Sequence, residues 1–483
     1  MPLTSPIYDR DALAKSVSRL WDDEGLPSLS NYIRIPCISP LFATNPDATR
    51  HMDDAVRYLA DWVRQLPLEV DPQVHRLEGR TPLLLVDVPP SAGISAEQPT
   101  LIYGHFDKQP PGEGWTGGLD PFTPVHRDDR LYGRGAADDG YSVIAALLAI
   151  QALDEASIPH GRCLILIEAS EESGSPDLPA YLRKLAPVIN TPGLVIALDA
   201  SCLTYERLWV TTSLRGVVSG VLRVDVLEHG VHSGVASSVV PSSFRILRNI
   251  LDRVEDSRTG RILVDELWGD PPNLPPENLT RLTELVTEFT PLPTVPGLQR
   301  LANTPAEEIL NRAWAPAMAA TGVAGVPTLE DAGNVLRAYT AMKLSFRLSP
   351  TANVTTAIKA LSAVLTQKPP YDARVSFDLT SYSSGWSSPD YPSWLANAID
   401  EASCSYFGSP AASFGDGASI PFLSMLNEQF PTIPYLVTGI LGPNSNPHGP
   451  GENLFLPAVK ALTASVAHVL SVASVRVVAG QTK

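Results

Sequence analysis

Positive charge is scarce in this 483-residue chain: 36 Lys and Arg stand against 52 Asp and Glu, a formal charge of −16. That balance argues against nucleic acid or an anionic membrane surface as the main partner. Long apolar runs are missing too, none approaching the ~20 uninterrupted residues of a membrane span. The first residues, MPLTSPIYDRDALAKSV, lack a basic start followed by an apolar block, so no secretory signal is expected. Cysteine is sparse, and Cys37, Cys163, Cys202 and Cys404 are scattered. They suit buried thiols in a reducing compartment, neither a disulfide frame nor a zinc cluster, and make a cytoplasmic location the expectation. Internal repeats and low-complexity tracts are absent. So are a Gly-x-Ser-x-Gly elbow and a catalytic cysteine signature, which sets a serine or cysteine hydrolase aside.

What is present is an ordinary globular composition, 44% hydrophobic and 18% charged, in a chain long enough for two domains. Four apolar runs each end in polar residues. TLIYGHFD reaches His105 and Asp107; RCLILIEASEESG reaches Glu171 and Glu172; GLVIALDAS reaches Asp199; and IPYLVTGILGPNSNPHG, apolar from Tyr435 to Leu441, leads to His448. Runs without alternation suit strands buried on both faces, and the segments DDGYSVIAALLAIQALDEA and LPAYLRKLAP between them read as helices. The expected fold is therefore α/β, a mostly parallel mixed sheet flanked by helices, with ligands at the carboxyl ends of the strands. The middle of the chain differs. VLRVDVLE, KLSFRLSP and RVSFDLTS alternate with period two, and SSFRILRNILDRV and TANVTTAIKALSAVLTQ follow two of them as helical stretches. This predicts an inserted, open-faced α+β domain over 212–386, interrupting a first domain made of 1–211 and 387–483, with the Ala/Val-rich tail as a last helix.

Taken singly, the polar residues at the strand ends have plain explanations. His-x-Asp arises by chance; GRGAADDG at 133–140 could be a turn and helix start; Glu171-Glu172 could be solvated; Asp199 could cap a loop and His448 could simply be exposed. Jointly they are harder to dismiss. Adjacent carboxylates repel unless a cation relieves them. Two acidic pairs, Asp138-Asp139 and Glu171-Glu172, and the lone Asp199 follow or join buried runs, with His105 and His448 at either end of the series. Mixed imidazole and carboxylate donors suit Zn, Mn or Co better than Ca or Mg, and there are enough for two ions if one carboxylate bridges. Two such ions are common machinery for hydrolysing an amide or ester.

In order and approximate spacing, GHFD, LYGRGAADDG, EASEESGS, ALDAS, EHGVHSG, LSFRL and NPHGPGEN resemble the aminoacylase and carnosinase-type dipeptidase family of dinuclear zinc peptidases. The resemblance spans nearly the whole chain. It implies a catalytic domain interrupted by a ferredoxin-like lid or dimerisation domain, and a cis peptide after the bridging Asp138. It implies two divalent ions per subunit, zinc first with manganese or cobalt as alternatives: His105 and Asp199 on one, Glu172 and His448 on the other, Asp138 on both. It further implies Glu171 as general base, Asp107 as the residue orienting His105, and His232 as the oxyanion donor, reaching over from a partner subunit in a homodimer. Arg347 would grip a substrate carboxylate, with Ser419 adding a hydrogen bond; Glu452, close after His448, could support it. The sequence departs from the family at Gly140-Tyr141, where Lys or Gln is usual, which bears on substrate preference. The expected activity is hydrolysis of a dipeptide or short peptide with a free carboxylate; the alternatives are an N-acyl amino acid amidohydrolase and a non-catalytic metal- or peptide-binding protein, the latter disfavoured by Glu171.

Overall fold

Four of the apolar runs lie together in one sheet. In spatial order its six strands are Gln73–His75, Leu83–Val88, Cys163–Glu168, Thr100–His105, Leu194–Ala197 and Tyr435–Val437. The last four run parallel to one another, and the first two join antiparallel at one side. Every residue of Thr100–His105 and of Cys163–Glu168 is buried, which is why neither shows polar alternation. The run from Tyr435 to Leu441 is strand only over Tyr435–Val437. Beyond it the backbone closes on a neighbouring loop, and a Cβ at Gly439 would stand 2.5 Å from the Ala200 nitrogen.

The computed structural model describes residues 8–43, 47–270, 276–290, 292 and 294–480. The chain divides into two units: Met1–Thr212, Ser388–Phe414 and Met425–Lys483 form the first, Ser213–Ser387 with Gly415–Ser424 the second. The stretch Gly415–Ser424, inside the segment assigned from sequence to the first domain, thus clusters with the second unit.

In the first unit, helix Tyr141–Glu155 is buried from Tyr141 through Leu153 and packs on strand Thr100–His105 and helix Leu456–Gly480. A helix apolar all round belongs in a core. The same logic applies to Leu456–Val475, which, though interrupted by Lys460 and His468, is long and apolar enough to cross a membrane; 78% of that window is buried in the protein interior. All four cysteines are free, but Cys404 is exposed on helix Ser393–Tyr406, correcting the expectation that all are buried.

In the second unit, strands Ala317–Ala324, Tyr339–Leu348, Gly216–Asp225 and Arg374–Ser383 form an antiparallel sheet in that order. With helices Ser243–Leu251 and Val354–Thr366 this is the ferredoxin-like arrangement. Leu222, Val224, Leu344 and Phe346 point into the core with Ile246 and Leu361, leaving the alternate residues on the other face.

One glycine ties packing to the polar rim. A Cβ at Gly104 would overlap Ser142 Oγ and stand 2.6 Å from Asp139 Oδ2. Gly104→Ala should therefore destabilise the protein by roughly 1–3 kcal/mol in denaturant unfolding. Gly161→Ala, where nothing lies within 4 Å, should stay within ~0.5 kcal/mol of wild type.

Candidate metal centre

Parallel strands place their carboxyl ends on one rim, and the polar residues collect there. His105 is the last residue of its strand, Glu171-Glu172 form a 3-10 turn after Cys163–Glu168, and Asp199 follows Leu194–Ala197. Asp138 comes from the loop between strand Arg130–Tyr132 and helix Tyr141–Glu155, and its bond to Asp139 is a cis peptide. His448 lies in the loop after Tyr435–Val437, held at φ +60°, a conformation that non-glycine residues adopt only when their surroundings impose it.

These residues meet. His105 Nε2 is 3.3 Å from Asp138 Oδ1 and 3.8 Å from Asp199 Oδ2. His448 Nε2 is 3.0 Å from Asp138 Oδ2 and 3.3 Å from Glu172 Oε2. The two oxygens of Asp138 thus face different imidazoles. Two donor groups, each within 4.8 Å, emerge: His105, Asp138 and Glu172, and His105, Asp139 and Asp199. Asp139 has a task besides, since its Oδ2 accepts the His105 amide at 3.1 Å.

Neighbours fix the orientation of each donor. His105 Nδ1 is 3.0 Å from the main-chain oxygen of Asp107 and 3.4 Å from its Oδ1; with Nδ1–H donating there, the neutral ring would present its Nε2 lone pair to a cation. The Asp107 carboxylate accepts the amides of Glu171 and Glu172, both at 3.1 Å, and so holds the acidic turn. Gln109 Nε2 donates to Glu172 Oε2 at 2.5 Å. Behind the turn, buried Glu168 accepts from the hydroxyls of Tyr103, Ser175 and Ser170 at 2.7, 2.8 and 3.2 Å. Buried Lys108 donates to the carbonyls of Tyr32, Ile33 and Ile35, anchoring the segment that follows Asp107 to a helix end.

The electrostatics are those of a site short of positive charge. Burial, reinforced by the surrounding carboxylates, raises Glu171 and Asp199 well above their usual range. Burial pushes Glu168 up to about 7 and Asp139 up to about 8. Burial opposes the protonation of His448, but Asp138 and Glu172 outweigh it and push the imidazole up to about 11. His105 is likewise raised, by Asp107 and Asp138 against burial. Oδ1 of Asp139 and Oε1 of Glu172 are buried without a hydrogen-bond partner among the described residues. Imidazole nitrogens aimed at crowded carboxylates, with acceptor oxygens left over, fit divalent cations of the Zn or Mn type.

Of the remaining expected residues, His232, Arg347 and Ser419 lie in the second unit and Glu452 in the first. His232 is exposed on the short strand Val231–His232; its Nδ1 accepts the Gly234 amide at 3.1 Å, so in the neutral ring Nε2 carries the proton and is free to donate. Arg347 lies on the sheet face away from the helices, and its Nη1 donates to Ser419 Oγ at 3.0 Å. Ser419 Oγ in turn donates to the Arg215 carbonyl at 2.5 Å. Glu452 makes no hydrogen bond to His448; its carboxylate accepts main-chain amides of the Asp138 loop. Gly140, where the motif departs, is packed so closely that a Cβ would stand 2.5 Å from the Gly135 oxygen. Residues whose roles the motifs did not reveal are Lys108, Gln109, Arg134, Asp139 and Glu168. None of these roles was signalled by sequence: Lys108, between Asp107 and Gln109, reads as a loop lysine.

Known proteins resemble this chain in sequence and fold. The chain is 28% identical over 366 residues to the cysteinylglycine-S-conjugate dipeptidase of Corynebacterium striatum, covering 73% of this chain and 76% of that one. It is 25% identical to the Cys-Gly metallodipeptidase dug1 of Schizosaccharomyces pombe, over 83% and 85% of the two chains. The fold matches the M20 family metallo-carboxypeptidase Sso-CP2 of Sulfolobus solfataricus with a TM-score of 0.77 at 21% identity, over 94% of this chain and all of the other. The model of peptidase family M20/M25/M40 matches residues 101–472, and the chain belongs to that family.

Proposed function

We propose that this protein is a metal-dependent dipeptidase, hydrolysing the amide bond of dipeptides or short peptides with a free carboxylate. The single observation that carries this is Asp138, whose two oxygens lie 3.3 and 3.0 Å from two different imidazoles. The names of the relatives from Corynebacterium striatum and Schizosaccharomyces pombe, both dipeptidases, support the substrate class.

His105 and Asp199 would hold one divalent cation, Glu172 and His448 the other, with Asp138 shared; zinc is the first choice for this donor set. Such ions supply Lewis acidity to the scissile carbonyl and lower the pKa of the attacking water to near ~7. Glu171, kept basic by burial among carboxylates, takes the proton of that water and returns it to the leaving amine. Asp107 positions Glu171 through its amide and presents His105 in the ligating tautomer. His232 donates from Nε2 to the oxyanion of the tetrahedral intermediate. Arg347, steadied by Ser419, grips the substrate carboxylate with its planar fork. We further propose a homodimer in which His232 serves the partner's site, and a cytoplasmic enzyme, in keeping with four free thiols.

Three outcomes are expected. Glu171→Gln should lower kcat about 10²–10⁴-fold while metal content and KM stay close to wild type; unchanged turnover refutes the base assignment. Release of amino acids from a dipeptide panel, but not from N-acetyl amino acids, should separate a dipeptidase from a deacylase, and chelation should abolish it. The third outcome is pH dependence of the metal-free chain. Glu168 and Asp139, with ordinary values of 4.5 and 3.8, are raised to about 7 and about 8 in the folded state, so the folded chain binds more protons between those limits. Their contribution to stability is fully present below pH 3.8 and is lost as pH rises to about 8. Thermal midpoints of chelated protein should fall from pH 5 to pH 8, and fall less with zinc bound.

A further inference from the structure

Beside the centre lies an ion pair that touches neither substrate position nor donor nitrogen. Arg134 and Glu452 are both fully buried, 318 residues apart, with Arg134 Nη1 donating to Glu452 Oε2 at 2.7 Å. A buried pair of this kind is weak grounds for stability, because desolvation offsets attraction. Here Nε of Arg134 is also buried without a hydrogen-bond partner, an added cost.

What the pair does hold is specific. Glu452 Oε1 accepts the amides of Gly135, Ala137 and Asp138 at 3.1, 3.0 and 3.1 Å, so a single oxygen gathers the whole loop that delivers Asp138. The Glu452 main-chain oxygen accepts the Gly133 amide at 3.0 Å, continuing the antiparallel pairing of Asn453–Phe455 with Arg130–Tyr132. From the other side, Arg134 Nη2 donates to the Gly449 carbonyl at 3.0 Å, next in sequence to His448. One ion pair therefore clamps the amide of Asp138 and the residue beside His448. The opposite half of the centre has different support: His105 ends a central sheet strand and Asp199 follows its neighbour.

We propose that the Arg134–Glu452 pair is a positioning device that sets the gap between Asp138 and His448, and so tunes affinity for the ion held by His448 and Glu172, which depends on both clamped segments, more than for the ion of His105 and Asp199, which shares only Asp138. This rests on the dinuclear arrangement proposed above. Wild-type protein, stripped of metal and titrated calorimetrically with Zn²⁺, should bind two ions. In Glu452→Gln, one ion should bind about 10–100-fold more weakly, the usual loss when a partner behind a ligand is removed, and the other should lose distinctly less. Raising free Zn²⁺ should then restore kcat, because no reacting group has been altered. Removing one partner can unfold the chain, so Arg134→Met with Glu452→Gln, which leaves no buried charge unpaired, serves as the second variant and should show the same selective weakening. A folded variant that binds both ions as tightly as wild type overturns the proposal. So does weakening of both ions in step with a lowered thermal midpoint in the metal-free state, which would mark an ordinary structural pair. If wild type itself binds fewer than two ions, the dinuclear arrangement fails first and this inference falls with it.

Discussion

Repulsion among carboxylates held away from water is the constraint around which the first unit is built. Asp107, Asp138, Asp139, Glu168, Glu171, Glu172 and Asp199 crowd one rim, with two imidazoles as the nearest positive charge. Left alone, such a group protonates or spreads apart. The fold permits neither cheaply. The strands that carry it are buried throughout, and main-chain amides grip the Asp107 and Glu452 carboxylates. Rigidity and unmet negative charge together make a cation part of the architecture, not an accessory.

The second unit answers a different requirement. Its sheet has one apolar face, under two helices, and one face free to present polar side chains. Arg347 is on that second face because of strand periodicity alone: its neighbours Phe346 and Leu348 point inward. His232 is placed by two paired strand residues and an amide contact, a light scaffold for an exposed side chain.

Much of this was legible before any coordinates. Unalternating runs announced strands covered on both faces, and residues such as His105 and Asp199 could be located at strand ends because a strand has only two ends. Period-two alternation at Leu344, Phe346 and Leu348 likewise announced the half-exposed sheet. Other features left no trace. The clamp between Arg134 and Glu452 has no periodicity, since partners 318 residues apart meet only through folding. Lys108 looked like a loop lysine, yet it is buried and pulled down to about 8 by that burial while three carbonyls hold it. The tautomer of His105 depends on a main-chain oxygen, which no side-chain pattern encodes. Gly415–Ser424 joins the second unit without any change in composition to mark it.

That last segment has a temporal consequence. During synthesis the amino-terminal part of a chain emerges first and begins to fold early. Here the four-stranded sheet of the insertion and its two helices leave the ribosome before Gly415–Ser424, while the surrounding body still awaits the helix Leu456–Gly480. The first unit is thus the later to complete, and the nascent chain must keep that unfinished core from sticking to the wrong neighbours until the helix Leu456–Gly480 arrives.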